Sequence, residues 1–220
     1  MGRPLEEWLR DEKKDLENRV KNPTTSDKSS LDDFILYAGR FTKDKEKGFA
    51  LTLLDPKTGK YEVLARENGW IGTAVPFGDK ILYAGYFTKD NKEGRALTLL
   101  NPKTGEYEVL ARENGWIETA VPFGDKILYA GWFTKDNKEG CALTLLNPKT
   151  GKYEVLARES GSIVTAVPFG DKILYAGYEG GCALTLLDPK TGKYEVLARE
   201  NNIIVTAIPV PRNIGERWFK

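Results

Sequence analysis

One long segment recurs through the chain and constrains its fold more than any other feature. The phrase Ile-Leu-Tyr-Ala-Gly opens at Ile81, Ile127 and Ile173, which lie 46 residues apart, and an earlier copy opens at Ile35. Each copy continues into a Leu-Thr-Leu-Leu phrase and a Pro-Lys-Thr-Gly turn. Self-similarity at a fixed period is typical of repeat architectures. The sequence therefore predicts a tandem of equal structural units.

Each repeat holds four segments of strand-like composition, which in the second copy are residues 71–77, 80–87, 96–100 and 107–111. We expect Gly78-Asp79 to form a two-residue hairpin turn, because glycine accepts a positive φ angle. Pro102 and Gly105 are typical of a longer hairpin turn. The third segment is almost continuously apolar, as in strands that are covered on both faces. The repeat therefore predicts a small sheet of antiparallel strands, stacked between neighbours.

These segments resemble the blade of a kelch-type β-propeller. Residues 78–86 (GDKILYAGY) are similar to the Gly-Asp-Lys strand of that family, and residues 101–110 (NPKTGEYEVL) to its Asp-Pro-x-Thr-Gly-x-Trp hairpin. The likeness extends from Phe34 to Val210. It departs from the kelch pattern in two ways: Ala-Gly replaces a double glycine, and the tryptophan is a tyrosine in every copy (Tyr61, Tyr107, Tyr153, Tyr194). The resemblance implies a propeller of the kelch or WD kind.

The order of segments at the two ends predicts how the repeats close. The repeats begin at their second segment, at Phe34, and end after an extra first segment at residues 203–210. A closed ring needs such complementary ends, because the last strand completes the first blade and removes exposed edges. We therefore predict an all-β fold, a four-bladed propeller of residues 31–210 whose blades are each about 46 residues long. Two alternatives stay open: an eight-bladed ring shared by two chains, and a hairpin solenoid resembling the MORN repeat, whose Tyr-x-Gly-x-Phe opening is matched at residues 83–87.

The flanking segments carry separate predictions. Residues 1–30 are predicted to be a short amphipathic helix followed by a polar linker, with the apolar stripe Leu5, Trp8, Leu9 and Leu16. This stripe is expected to pack on the repeats or to bind a partner or a second copy, and the pattern does not separate these options. The tail, residues 211–220, is expected to cover a surface groove with Trp218 and Phe219.

Composition excludes several classes of function. With 33 basic and 32 acidic residues, the chain has no charge excess that favours nucleic acid or a membrane as partner. It contains no histidine, which excludes Ser-His-Asp and Cys-His catalysis and the commonest zinc sites. We expect no cofactor, no bound metal and, without an apolar leader, a cytoplasmic location. Cys141 and Cys182 occupy equivalent places in consecutive repeats, so they are predicted to be separate buried thiols.

The positions that differ between copies are the candidates for binding. They gather at one end of the predicted blades, where the end of the second strand, the start of the third and the loop before the first strand meet. Loops on a rigid scaffold often carry binding residues, and Trp, Tyr and Arg are typical of binding surfaces. The competing interpretation is that these large side chains only pack between blades, as the repeated Arg-Glu pairs would by forming ion pairs. The candidate binding residues are Arg40, Trp70, Tyr86, Arg95, Trp116, Glu118, Trp132 and Tyr178.

Three functional hypotheses follow from this pattern. The favoured one is a non-catalytic interaction module that docks on a protein or on its own copies through the varied face or the N-terminal helix. The alternative is a lectin-like binder of a sugar or another small ligand, with aromatic pockets between blades. The third is an enzyme that uses Glu118 and Glu179 as a carboxylate pair. Since no nucleophile stands in a recognisable setting, we expect the chain not to be an enzyme.

Overall fold

The described part of the chain is built from antiparallel strands. The computed structural model describes residues 34–43, 46–178, 181–202, 204, 206–207 and 209. The chain divides into two compact units, Met1–Tyr37 with Thr52–Glu62, and Ala38–Leu51 with Val63–Lys220. The strands are β1 (Ile35–Lys43), β2 (Glu46–Leu54), β3 (Tyr61–Glu67), β4 (Ile71–Phe77), β5 (Lys80–Lys89), β6 (Lys92–Leu100), β7 (Tyr107–Glu113), β8 (Ile117–Phe123), β9 (Lys126–Lys135), β10 (Lys138–Leu146), β11 (Tyr153–Glu159), β12 (Ile163–Phe169), β13 (Lys172–Tyr178), β14 (Cys182–Leu187) and β15 (Tyr194–Glu200).

Four antiparallel sheets follow the repeats. Strands β4–β7, β8–β11 and β12–β15 form three four-stranded sheets, and β1–β3 form a three-stranded sheet. Neighbouring strands in each sheet are also consecutive in sequence, so each sheet is a meander of hairpins. The first hairpin of the second sheet turns at Gly78, whose φ angle is 61°. This confirms the predicted turn.

The hairpin between β5 and β6 differs from the prediction. The predicted second segment ends at residue 87 and the third begins at residue 96, but the strands continue to the pair Lys89 and Lys92. Asp90 and Asn91 make the two-residue turn with φ angles of 54° and 58°. Asp and Asn accept this left-handed conformation because their short side chains bond locally to the backbone. The long hairpin therefore forms without a glycine in its turn.

A β-bulge begins each four-stranded sheet. In β4 the pairing passes from Ile71 opposite Gly85 to Thr73 opposite Ala84, so Gly72 is the extra residue. The same shift makes Glu118 and Val164 the extra residues in β8 and β12. Since a bulge re-aims the side chain at its position, this varied column of the sequence is also an irregular point of the strand.

The repeated Ala-Gly dipeptide has a steric cause beside this bulge. A Cβ atom at Gly85 would collide with the backbone carbonyl oxygen of Trp70. That oxygen accepts a hydrogen bond of 2.8 Å from the backbone N–H of Tyr86. The second residue of the dipeptide must therefore be glycine, while the first only needs to be small.

Two apolar clusters fill the spaces between the four-stranded sheets. In β9, Ile127, Tyr129 and Phe133 pack against the sheet of β4–β7. The alternate residues, Leu128 and Ala130, pack against the sheet of β12–β15. The middle sheet is thus covered on both faces, which confirms the interpretation of its continuous apolar strands.

Several sequence predictions fall on residues outside the described ranges. These are the N-terminal helix, the C-terminal tail, and Ile203, Val205, Ile208 and Val210 of the closing segment. The domain boundaries therefore stay predictions. The prediction for the cysteines is confirmed, since Cys141 and Cys182 are both buried and free.

Candidate functional site

A buried polar network joins each sheet to the next. Tyr129 of β9 donates a hydrogen bond of 2.8 Å to Oε1 of Glu113 at the end of β7. Lys135 Nζ lies 2.8 Å from the same oxygen. Burial, and then the negative charge of Glu113, raise the pKa of Tyr129 far above its ordinary value. Glu67, Tyr83 and Lys89 repeat the arrangement one sheet earlier.

The tip of the β5–β6 hairpin folds over its own sheet. Arg112 of β7 donates to the backbone oxygens of Lys89 at 2.6 Å and Lys92 at 3.2 Å. Tyr107 donates to Oδ1 of Asp90 at 3.0 Å, and Lys89 Nζ lies 4.1 Å from the centre of the Tyr107 ring. Arg112 and Arg158 therefore bind a hairpin of their own sheet, whereas Glu67 and Glu113 link neighbouring sheets. The predicted Arg-Glu ion pairs between sheets are wrong for Arg112 and Arg158.

Four of the predicted binding residues meet at one junction between sheets. We call Trp70, Tyr86, Arg95 and Trp116 the aromatic cluster. Arg95 pairs with Tyr86 across β5 and β6, and its Cζ atom lies 5.4 Å from the centre of the Tyr86 ring. The same atom lies only 3.8 Å from the centre of the Trp116 ring, which precedes β8 in the next sheet. Trp70 meets Trp116 edge to face, with ring centres 6.2 Å apart and an interplanar angle of 76°.

The aromatic cluster presents a fixed cation beside exposed rings. Within the described residues, Arg95 has no ion pair with a carboxylate, and its buried Nε atom has no hydrogen-bond partner. Stacking on Trp116 holds the guanidinium in place without neutralising its charge. The Trp116 side chain remains 50% exposed and Trp70 39%. This arrangement suits a ligand that combines a ring with a negative group.

Among the described residues, the side chains of the remaining predicted binding residues make no hydrogen bond, ion pair or ring contact with the aromatic cluster. Trp132 donates from Nε1 to Oε1 of Glu139 at 3.3 Å, within its own hairpin. Arg40, Glu118 and Tyr178 are exposed. At the next junction, Cys141 and Ser162 stand where Arg95 and Trp116 stand here. The cation and its stacking ring thus belong to one junction.

Two clefts among the described residues lie at the opposite end of the sheets. One, of about 710 Å³, is lined by Phe123, Lys126, Glu154 and Asp171 among others. Another, of about 510 Å³, is lined by the corresponding residues one repeat earlier, including Phe77, Lys80, Glu108 and Asp125. Both are bordered by the nearly constant turns of the repeats. The two clefts therefore have equivalent lining residues.

No three His, Cys, Asp or Glu side chains in the described ranges are placed to hold a metal ion. Nor do these ranges contain a helix that could cross a membrane.

Known proteins resemble this chain in structure but not in sequence. No family model and no curated protein matches the sequence. TolB from Acinetobacter baumannii superposes with a TM-score of 0.57 at 18% identity, over 74% of this chain and 41% of its own length. A putative TolB from Agrobacterium tumefaciens gives 0.58 at 14% identity, over 77% and 64%. An oligogalacturonate lyase in complex with manganese gives 0.52 at 19% identity, over 70% and 43%.

These comparisons show the class of fold. The matched proteins are β-propellers, and the four antiparallel sheets described above are consistent with a propeller of four blades. This chain spans less than two thirds of the length of each of the three. At such low identity the likeness shows the fold alone, and it does not confirm the kelch or WD type.

The comparisons also correct the favoured functional hypothesis. A non-catalytic interaction module was expected, but structures with this fold include an enzyme, the oligogalacturonate lyase. The fold therefore does not support a non-catalytic role, since one fold hosts many activities. That the chain is not an enzyme stays a prediction.

Proposed function

We propose that the aromatic cluster binds an acidic sugar. The observation that carries this proposal is the stacked guanidinium of Arg95, which lies 3.8 Å from the Trp116 ring and pairs with no carboxylate among the described residues. A sugar ring stacks on an exposed indole through its apolar face, and a carboxylate on that ring accepts hydrogen bonds from a guanidinium. The cluster supplies both groups side by side.

Two further observations support a carbohydrate acid as the ligand. The indoles of Trp70 and Trp116 meet at 76°, so they offer surfaces in two orientations to successive rings of a chain. One of the structurally similar proteins is named for its action on oligogalacturonate, which is a chain of acidic sugars. Binding precedes any reaction, so the proposal holds for a binder and for an enzyme alike.

Titration of the intrinsic tryptophan fluorescence tests the proposal. Oligogalacturonate is compared with its fully methyl-esterified form, which keeps the rings and removes the charge. We expect the acidic form to quench and the ester to bind at least about tenfold more weakly, because the charge-assisted hydrogen bonds are lost. Arg95→Met is expected to abolish the difference between the two ligands, and Trp116→Ala to weaken both.

The matched control is Trp132→Phe, which removes an exposed indole outside the cluster. It should leave both affinities unchanged. Equal binding of acid and ester by the wild-type protein would refute the role of Arg95. No binding of either ligand would refute the whole proposal and would favour a protein partner or self-association, which the native particle mass then tests.

We also infer that residues 203–210 complete the sheet of β1–β3, which closes four blades of the kelch or WD kind. The support is that this sheet has three strands while the others have four, and that these residues repeat the sequence of β4, β8 and β12. Introducing Leu36→Cys with Ile208→Cys tests this. The corresponding residues of the other repeats, Leu82 with Val75 and Leu174 with Val167, are direct partners on neighbouring strands, and such pairs lie within disulfide distance. Rapid intramolecular cross-linking is expected, and cross-linking only between molecules would contradict closure.

A further inference from the structure

The hairpin tips of the second and third repeats are held by the same groups. In the third repeat, Arg158 donates to the backbone oxygens of Lys135 at 2.7 Å and Lys138 at 3.3 Å. Tyr153 donates to Oδ1 of Asp136 at 2.9 Å. Lys135 reaches Glu113 of the preceding sheet at 2.8 Å, and its Nζ lies 4.4 Å from the centre of the Tyr153 ring. An arginine, a tyrosine and a glutamate thus bind the same Lys-Asp turn.

The fourth repeat keeps these three groups but has no such turn. Its sequence passes from Tyr178 to Cys182 through only Glu179, Gly180 and Gly181, where the third repeat has residues 133–140. In the fourth repeat, the residues equivalent to Glu113, Tyr153 and Arg158 are Glu159 of β11, and Tyr194 and Arg199 of β15. The fourth repeat therefore lacks the hairpin turn but keeps the glutamate, tyrosine and arginine that bind this turn in the third repeat.

The three groups are more accessible here than their counterparts. Tyr194 is 69% exposed, whereas Tyr107 and Tyr153 are each 42% exposed under their hairpins. Arg199 is exposed, while Arg112 and Arg158 are half-buried. Among the described residues, Tyr194 and Arg199 have no hydrogen-bond or ion-pair partner, and Glu159 accepts only the 2.8 Å bond from Tyr175.

A cleft joins the three groups. It has a volume of about 280 Å³ and is lined by Glu159 and Arg158 from β11 and by Tyr175, Tyr194 and Arg199 from the last sheet. The side chain of Glu159 packs against Gly177: a Cβ atom added to Gly177 would lie 2.9 Å from the Cγ atom of Glu159. The cleft lies where the hairpins of the other repeats cover their own sheets.

We propose that this cleft binds a Lys-Asp turn of a partner polypeptide. The ammonium group of the lysine pairs with Glu159 and lies over the Tyr194 ring, as Lys89 and Lys135 do over Tyr107 and Tyr153 in the intact repeats. The aspartate accepts from the Tyr194 hydroxyl, and Arg199 donates to the backbone oxygens of the turn. The internal repeats thus define both the shape and the charge order of the ligand.

A partner polypeptide is a better occupant than either of the two described hairpins of a second copy. The hairpins of β5–β6 and β9–β10 are already held in their own sheets by the contacts given above. Releasing one of them would lose as many contacts as it gains. A partner with a free turn bears no such cost.

The chain supplies its own probe for this site. A peptide of residues 133–140, closed into a hairpin by a disulfide between added terminal cysteines, presents the preformed turn, and preorganisation reduces the entropy lost on binding. Isothermal titration calorimetry with the full chain is expected to give a dissociation constant of about 0.1–1 mM, since the contact is a few hydrogen bonds and one ion pair. No detectable binding up to several millimolar would overturn the proposal.

Variants on both sides locate the contact. Glu159→Gln and a peptide carrying Lys135→Met are each expected to weaken binding at least about tenfold, because each removes the same charged pair. Combining them should cost little more than either alone. Tyr153→Phe is the matched control, since it alters the same kind of residue in the third repeat, whose own hairpin is in place, and should not change binding.

Grafting gives the most direct test. Replacing residues 179–181 with residues 133–140 supplies the missing hairpin within the chain, so the cleft is filled and the peptide should no longer bind. The same graft should raise the melting temperature, since it adds the contacts seen in the other repeats. Unchanged peptide binding by the graft overturns the proposal, as does butylamine that competes as well as the peptide, because a simple ammonium lacks the turn.

Discussion

The buried pair between Lys135 and Glu113 allows a quantitative test of how the sheets are held together. Lys135→Met keeps most of the aliphatic side chain and removes the ammonium group. Glu113 then keeps its bond from Tyr129 but loses the cation at 2.8 Å. Its side chain is only 2% exposed, so water does not replace that cation. The substitution leaves an unpaired buried charge.

The burial sets the magnitude of the effect. Removing one partner of a buried pair costs about 3–5 kcal/mol, whereas an exposed pair contributes about 0–1 kcal/mol. The chain contains an exposed pair for comparison: Lys190 lies 3.5 Å from Asp171, and both side chains are 75% exposed. We therefore expect Lys135→Met to lower the free energy of unfolding several times more than Lys190→Met.

Urea unfolding, followed by tryptophan fluorescence, measures the difference. With a slope of about 2–3 kcal/mol per molar urea, Lys135→Met should lower the midpoint by about 1–2 M, and Lys190→Met by less than about 0.5 M. The double variant Glu113→Gln with Lys135→Met removes both charges, so it should be more stable than Lys135→Met alone. This order distinguishes an unpaired charge from a simple loss of packing.

Two results would refute this reasoning. If Lys135→Met and Lys190→Met shift the midpoint equally, burial does not strengthen the inter-sheet pair. If the double variant is less stable than the single one, the carboxylate of Glu113 contributes through contacts other than the pair.

Four further predictions concern single positions. Burial raises the pKa of Tyr129, so above about pH 10 the unfolded chain releases a proton that the folded chain keeps. The free energy of unfolding should therefore fall there by up to about 1.4 kcal/mol per pH unit for this tyrosine. Tyr129→Phe should reduce that slope in urea unfolding measured at pH 9 to 11. Gly131→Ala should destabilise by more than about 2 kcal/mol in the same assay, because the new Cβ meets the backbone oxygen of Trp116. Asn91→Gly should stabilise by about 0.5 kcal/mol, since glycine adopts the φ angle of 58° without strain, and an unchanged melting temperature would contradict this. Burial raises the pKa of the Cys141 thiol and shields the sulfur from solvent, so an aromatic disulfide reagent should modify this thiol only after unfolding. Fast modification of the folded chain would contradict this prediction.

The repeat pattern predicted the sheets well because each strand in it is closed by a turn with a distinct chemistry. Gly78 and the Pro102–Gly105 turn fixed where hairpins reverse, and the apolar third segment indicated burial on both faces. The β5–β6 hairpin was predicted less well. Its turn residues, Asp90 and Asn91, stand among lysines and glutamates, and such a run is equally typical of a solvated loop.

The candidate site was predicted only in part. Comparing copies selected Trp70, Tyr86, Arg95 and Trp116, because a change of residue type at a fixed structural position is visible in the sequence. Their contact was not predictable, since Trp116 belongs to the next repeat and meets Arg95 only when two sheets stack. The tyrosine and lysine partners of Glu113 were missed for the opposite reason. They are the same in successive copies, and a constant residue gives no sign of whether it faces solvent or a neighbouring tyrosine.

The sameness of these junctions has a consequence for assembly of the molecule. The glutamate that ends one sheet meets the same tyrosine and lysine at Tyr83 and Lys89 as at Tyr129 and Lys135. This network therefore does not distinguish the proper successor of a sheet from another copy, or from the same copy in a second molecule. Newly made chains at high concentration would exchange sheets with one another, a common failure of near-identical tandem units. Among the described junctions, the one at Glu159 lacks the lysine, so the series of interchangeable contacts ends there.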